Sequence, residues 1–253
     1  MASLSTLADN RKVTLSNHKS PIANTADRER YLMPTSTQLR REVYEANLGI
    51  WRGSLVTMHS GNASGIDRER GVVMIKPSGM DYHRMRPADM VVTDLEGRKL
   101  RGKWNPSVDL PDHLYIYKHC PEVGGIIHTH SNYATSFALL RMSIPAYLTA
   151  IADEFGDEIP CAPYVDNQAD HIGQAIVQYR NRAPAILMGN HGTFAWGSTP
   201  RAALKAAVML EDVAKTVHLA FLLGKPSPLP PEEVKKWWDR YHTWYGQPAK
   251  NRR

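Results

Sequence analysis

Gly124-Gly125-Ile126-Ile127-His128-Thr129-His130-Ser131 reads as a short apolar strand that ends in two histidines. A strand turns successive side chains to opposite faces, so residues two apart look the same way, roughly 7 Å apart at Cα. His128 and His130 can therefore converge on one ion. Working outward, Ala185-Ile186-Leu187-Met188 reads as another buried strand, and it runs into Gly189-Asn190-His191-Gly192-Thr193-Phe194 with a third histidine. Three neutral imidazoles suit zinc with an open coordination position: catalytic zinc sites typically keep three protein ligands, whereas structural sites close with four and favour Cys. The chain has two cysteines, Cys120 and Cys161, too few for a competing cluster. A lone histidine at a strand end is ordinarily a packing residue. The shared face and the flanking glycines, which admit close backbone approach, favour the metal.

With 253 residues, 42% of them hydrophobic, the chain is long enough for one substantial core. The formal net charge of +6 permits attraction to phosphorylated metabolites or nucleic acid. There is no run of five basic residues and no alternation of basic with aromatic residues, so no nucleic-acid partner is expected. No window approaches the roughly 20 apolar residues of a membrane span. The first residues lack the apolar core of a secretory signal, and two unpatterned cysteines give no disulfide framework, so a cytoplasmic location without membrane partners is the expectation.

Residues 1–34 are polar and aperiodic and read as a flexible arm. A main domain is expected over 35–225. Its first helix begins near Ser36 and spaces Leu39, Val43, Ala46 and Ile50. Strand-like runs follow at Ser54–Met58, Gly71–Lys76 and Asp89–Leu95. A helix opens at Pro111-Asp112 and stops before Pro121, and Ser131 caps another. Helical spacing returns over 167–180 and again from Thr199-Pro200 to Gly224. A Pro-rich linker from Pro226 leads into a last segment, 226–253, where Val234, Trp237, Trp238, Tyr241, Trp244 and Tyr245 form an aromatic stripe suited to docking on the body or on a neighbouring subunit. Short strands mixed with helices indicate a layered α/β (α+β) domain.

Two loops carry the groups that bind an anion. Ser60-Gly61-Asn62-Ala63-Ser64-Gly65 and Lys76-Pro77-Ser78-Gly79 combine glycine-exposed amides, hydroxyls and one lysine, although either alone also reads as a polar turn. Asn105-Pro106-Ser107-Val108-Asp109 adds a further hydroxyl before the histidine strand.

These stretches, with Glu45-Ala46-Asn47-Leu48, Asp67-Arg68-Glu69-Arg70-Gly71, Ile75 to Tyr82, Asp89-Met90-Val91-Val92, Phe194-Ala195-Trp196-Gly197 and Tyr245-Gly246-Gln247, give the chain its family likeness. From about Leu39 to Gln247 it resembles the class II aldolase and sugar-phosphate epimerase superfamily, most closely the L-ribulose-5-phosphate 4-epimerase branch. The resemblance implies a central, mainly antiparallel sheet flanked by helices, in a homotetramer with active sites at subunit interfaces. His128, His130 and His191 match the zinc ligands. Asp109 matches a nearby carboxylate that ligates zinc or helps transfer a proton. Gly61, Asn62, Ser78, Gly79 and Ser107 match phosphate-site positions, with Lys76 in the same stretch. Asp153 matches a catalytic Asp, and Tyr245 a catalytic Tyr on the C-terminal segment, which would complete an active site.

The implied activity is the interconversion of L-ribulose 5-phosphate and D-xylulose 5-phosphate, or of a close pentulose phosphate pair, by retro-aldol and aldol steps. Zinc would stabilise the enediolate left when the C3–C4 bond breaks, with Asp153 and Tyr245 handling protons on either face. The alternative is a class II aldolase that releases the aldehyde. Decarboxylases and dehydratases of the superfamily rank next, then an adducin-like interaction module, against which the three histidines argue. Two departures from the epimerase pattern stand out: Val108 replaces a second serine, and the segment Pro160–Gly173 is short.

Overall fold

The computed structural model describes residues 35–246. The expected arm over 1–34 and the Gln247 of the resemblance lie outside the described residues. Helix α1 (Thr35–Arg52) leads into β1 (Asn62–Asp67), β2 (Val72–Ile75), β3 (Val91–Asp94) and β4 (Lys99–Arg101). Then come α2 (Leu110–His119), β5 (Gly125–Thr129), α3 (Asn132–Leu139), α4 (Thr149–Phe155) and β6 (Cys161–Ala162). The fold closes with α5 (His171–Tyr179), β7 (Ala185–Met188), β8 (Gly192–Gly197), α6 (Pro200–Leu223) and α7 (Pro231–Thr243).

The strands form one sheet in the order β4-β3-β2-β1-β5-β8-β7-β6. Every pairing is antiparallel except β6 with β7. This is the layered, mainly antiparallel architecture that the resemblance implies. Both faces are covered, so the central strands are buried except at the last residue of β1 and of β8. On one side Leu110, Leu114, Ile172 and Ile176 of α2 and α5 pack with Ile66, Ile75, Ile126, Ile186 and Phe194. On the other, α1 and α6 lie against β1, β5 and β8. There the buried Asn47 ties α1 to the sheet, since its Oδ1 accepts from Ala63 N at 2.8 Å and its Nδ2 donates to Ala63 O at 3.1 Å.

One expected strand is wrong. Ser54–Met58 lies in the turns that follow α1, where Ser54 and Met58 have left-handed φ of 56° and 54° that extended pairing cannot use. The strand sits instead at Asn62–Asp67, overlapping the Ser60–Gly65 stretch whose small residues read as a loop. Ala63 and Ser64 are fully buried there. Crowding from layers on both faces, not β-propensity, selects those small side chains.

The aromatic stripe docks on its own chain. Trp238 of α7 covers Gly156, the left-handed C-cap of α4 at φ 63°, and a Cβ at Gly156 would lie 2.3 Å from the Trp238 ring. The linker is pinned by Leu229 N donating to Ala146 O at 2.8 Å. Lys205 adds a 2.6 Å ion pair with Glu154 and sits 4.8 Å from the Tyr241 ring centroid. Among the described residues no helix is long and apolar enough to cross a membrane.

Candidate active site: a histidine cluster and an anion cleft

The geometry of the histidine cluster begins with strand register. β5 turns Ile126 and His128 to the α2 side of the sheet, where His128 stacks on Phe194 with ring centroids 4.3 Å apart. His130 follows one residue past the strand end, and His191 comes from the tight β7–β8 turn, where Asn190 takes a left-handed φ of 57°. The ligand atoms of His128, His130 and His191 all lie within 4.8 Å of one another. Gly192 makes this approach possible, since a Cβ there would fall 2.5 Å from His130 Cδ2 and 2.6 Å from Thr129 O.

Protonation favours metal binding. His128 Nδ1 lies 2.9 Å from Thr193 O. A carbonyl only accepts, so Nδ1 carries the proton and Nε2 keeps its lone pair for an ion. Burial, the largest influence, pushes His128 down to about 3, reinforced by His130 and His191 against the pull of Asp109. Burial lowers His130 and His191 as well. Three neutral imidazoles that converge from one buried and two more open positions fit a divalent metal with a side left free for substrate.

Around this cluster lies an open cleft of about 330 Å³. Gly61, Asn62, Lys76, Ser78, Gly79, Ser107, Asp109, His128, His130 and His191 all line it. The three anion-type loops thus meet at one edge of the sheet. Asn62 joins two of them, donating from Nδ2 to Ser107 Oγ at 3.1 Å and to Asp109 Oδ2 at 2.5 Å. Asp109 stands beside the three-histidine group and is not a member of it. Burial raises its carboxyl, but His128, His113 and the Asn62 amide outweigh that, and the net direction is downward. Lys76 is almost fully buried, with Nζ 3.0 Å from His59 O and 4.8 Å from the Tyr82 ring centroid.

Asp153 and Tyr245 are elsewhere. Neither lines the cleft of its own chain. Asp153 is half-buried on α4; burial raises its carboxyl, and Arg240 and His242 of α7 oppose that. Tyr245 stacks on Tyr241 at 5.0 Å and lies 5.2 Å from the Arg240 guanidinium. The two expected proton-handling groups are therefore gathered near Arg240.

Several neighbours escaped sequence reasoning. The Tyr82 hydroxyl donates to Ser60 O at 2.8 Å and Gly61 O at 2.9 Å, bracing the first anion loop from beneath. His113, one helical turn beyond Asp109, is fully buried with Nδ1 2.6 Å from Ser64 Oγ. Its i, i+4 spacing from Asp109 was the available signal. Asn167 lines the cleft from the loop after β6, and no spacing pointed to it.

The fold has counterparts among known proteins. A family model described as Class II Aldolase and Adducin N-terminal domain matches residues 41–218. Among solved structures, an L-fuculose 1-phosphate aldolase superposes with a TM-score of 0.74 at 28% identity, covering 81% of this chain and 96% of that one. YgbL from Klebsiella pneumoniae, described as a candidate aldolase/epimerase/decarboxylase, gives 0.68 at 28% identity, over 80% of this chain and 98% of that one. An L-fuculose 1-phosphate aldolase from Glaciozyma antarctica PI12 shares the fold, with a TM-score of 0.71 at 23% identity over 81% and 82% of the two chains.

Proposed function

As this chain belongs to the class II aldolase and adducin N-terminal domain family, we propose that it is a zinc-dependent sugar-phosphate epimerase that interconverts L-ribulose 5-phosphate and D-xylulose 5-phosphate, or a close pentulose phosphate pair. The observation that carries this reading is the meeting of three neutral histidines and three anion-type loops in one cleft. His128, His130 and His191 would hold the ion, which when bound supplies electrostatic stabilisation for the negative charge of carbon–carbon cleavage. The backbone and hydroxyl groups of Gly61, Asn62, Ser78, Gly79 and Ser107 hold the phosphate, with Lys76 adding charge from below. Asp109, kept ionised, orients Asn62 and accepts or returns a proton at the cleft wall.

Epimerisation also needs a proton carrier on each face of the aldehyde fragment. Asp153 and Tyr245 serve this role in the cleft of a neighbouring subunit of a homotetramer, since neither lines the cleft of its own chain. On this reading the body over 35–225 supplies the cleft of one active site, and Asp153 together with the segment 226–253 completes that of a neighbour. A class II aldolase is the second reading, favoured by the likeness to an L-fuculose 1-phosphate aldolase at 28% identity. Incubation with L-ribulose 5-phosphate, resolving D-xylulose 5-phosphate from cleavage fragments, separates the two. The epimerase reading expects the pentulose product alone; accumulation of an aldehyde and a three-carbon ketone overturns it in favour of the aldolase.

A further inference from the structure

The strand ends lay out the cleft in order along one edge of the sheet. β1 and β2 lie to one side of β5, and β8, β7 and β6 to the other. The loops at Gly61 and Ser78 belong to the first side, His128 and His130 to the middle, and His191 to the β7–β8 turn. Past that turn comes the loop that leaves β6. It is tied to the histidine turn by Gly189 N, which donates to Ala162 O at 3.0 Å. Further along, Asp166 Oδ1 accepts from Gln168 N at 3.0 Å and lies 2.7 Å from His171 Nδ1. Asn167 sits between these anchors and lines the same cleft as His130 and His191. It is exposed, and among the described residues its carboxamide has no hydrogen-bond partner.

We infer that Asn167 forms a far subsite, on the side of the histidines opposite the anion loops, and selects a hydroxyl at the end of the ligand's carbon chain remote from its phosphate. The inference rests on the sugar-phosphate reading above. A ligand anchored at the Gly/Ser loops and crossing the histidines must bring its other end toward the β6 loop. The side chain that meets it there is uncharged and offers both a donor and an acceptor, which complements a hydroxyl. A methyl group in the same place gives the carboxamide nothing to bond while displacing its water, so a site of this kind discriminates against the deoxy analogue. The main-chain bond at Ala162 and the Asp166 carboxylate contacts, which flank Asn167, reduce the ordering cost of that contact.

Calorimetry on the zinc-loaded full chain tests this with two ligands that have no carbonyl and cannot react: ribitol 5-phosphate and its 1-deoxy analogue. The wild-type protein should bind the hydroxylated polyol about 10-fold more tightly, the size of one neutral hydrogen bond. Asn167→Leu should bring the ratio to about 1 or invert it, while affinity for inorganic phosphate and zinc content stay unchanged. Equal affinities in the wild type, or a preference that survives in Asn167→Leu, overturns the subsite. Failure of both polyols to bind overturns it together with the sugar-phosphate reading. Discrimination that depends on Asn167 without turnover of L-ribulose 5-phosphate leaves the subsite standing and removes the proposed reaction.

Discussion

The histidine cleft and the α4–α7 corner hold polar groups in opposite ways. In the cleft, ends of several strands deliver side chains that main-chain contacts then fix: His128 through Thr193 O, the first anion loop through Tyr82, His191 through the β7–β8 turn. At the corner, aromatic packing does the positioning, with Trp238 over Gly156 and Arg240 beside Trp237, Trp244 and Tyr245. The cleft is assembled by the fold itself. The corner is a docked helix that brings Asp153 and Tyr245 to the same guanidinium. The difference teaches that one chain carries two separately built polar clusters, and that separate perturbations should reach them independently.

The largest effect belongs to the cleft. His128→Asn removes the buried ligand that holds the fixed tautomer, so bound zinc and turnover should fall together, turnover by about 10³-fold or more. Metal analysis on purified protein beside steady-state rates checks this. Full occupancy with normal turnover would remove the histidine cluster from the mechanism. The α4–α7 corner should be untouched in this variant, with assembly as in the wild type.

Tyr245→Phe probes the corner and keeps the ring that stacks on Tyr241. Zinc and assembly should persist, and turnover should fall by about 10²-fold for lost proton transfer. Subunit mixing sharpens the contrast. If the corner of one chain serves the cleft of another, mixing Tyr245→Phe chains with His128→Asn chains pairs intact clefts with intact corners and restores activity. Mixing Tyr245→Phe with Asp153→Asn should restore none, because both groups surround Arg240 of a single chain. Verified exchange without recovery in the first mixture contradicts the shared site.

The sequence exposed the two regions unequally. His128, His130 and His191 were legible because a period-two pattern and a glycine-flanked strand end constrain where imidazoles can point. The sheet was legible where strands were apolar, as in β5 and β7. It was not at β1, whose Ala63, Ser64 and Gly65 owe their places to layers packed on both faces rather than to local propensity. Asn167 was invisible for a related reason: the β6 strand that launches its loop has only two residues, Cys161 and Ala162, and exists through parallel pairing with β7. Asp153 and Tyr245 came from family likeness alone. Nothing in local spacing says that two residues 92 positions apart share Arg240.

A smaller effect should separate anion binding from chemistry within the cleft. Ser78→Ala deletes one hydroxyl from a loop whose backbone stays anchored by Ser78 N donating to Asn105 O at 3.0 Å. If that hydroxyl binds the phosphate equally in ground and transition states, KM should rise by about 10-fold with kcat within about a factor of two. Initial-rate curves decide it. An equal fall in kcat would move Ser78 from substrate anchoring to the reacting centre.

The smallest effect is a pH dependence centred on Lys76. Burial lowers its ammonium to about 8, with Asp81 and Asp109 pulling the other way. Below that pH the lysine is charged beneath the anion loops; above it the charge is lost. The second ionisation of a phosphate ester lies near 6, so the ligand's charge is constant through this window. Affinity for ribitol 5-phosphate should therefore fall as pH rises from about 7 to about 9.5, by several-fold. Folding stability should move the opposite way. The unfolded lysine titrates near its ordinary 10.5, so between about 8 and 10.5 the unfolded chain binds a proton that the folded chain has released. Higher pH then favours the folded state by this group's contribution. Lys76→Met removes the titration and should flatten both trends, while leaving the α4–α7 corner and its Tyr245 dependence as they were. Calorimetry and thermal melts at low salt measure the pair. A decline in affinity that persists unchanged in Lys76→Met assigns the titration to another group and takes Lys76 out of the anion site.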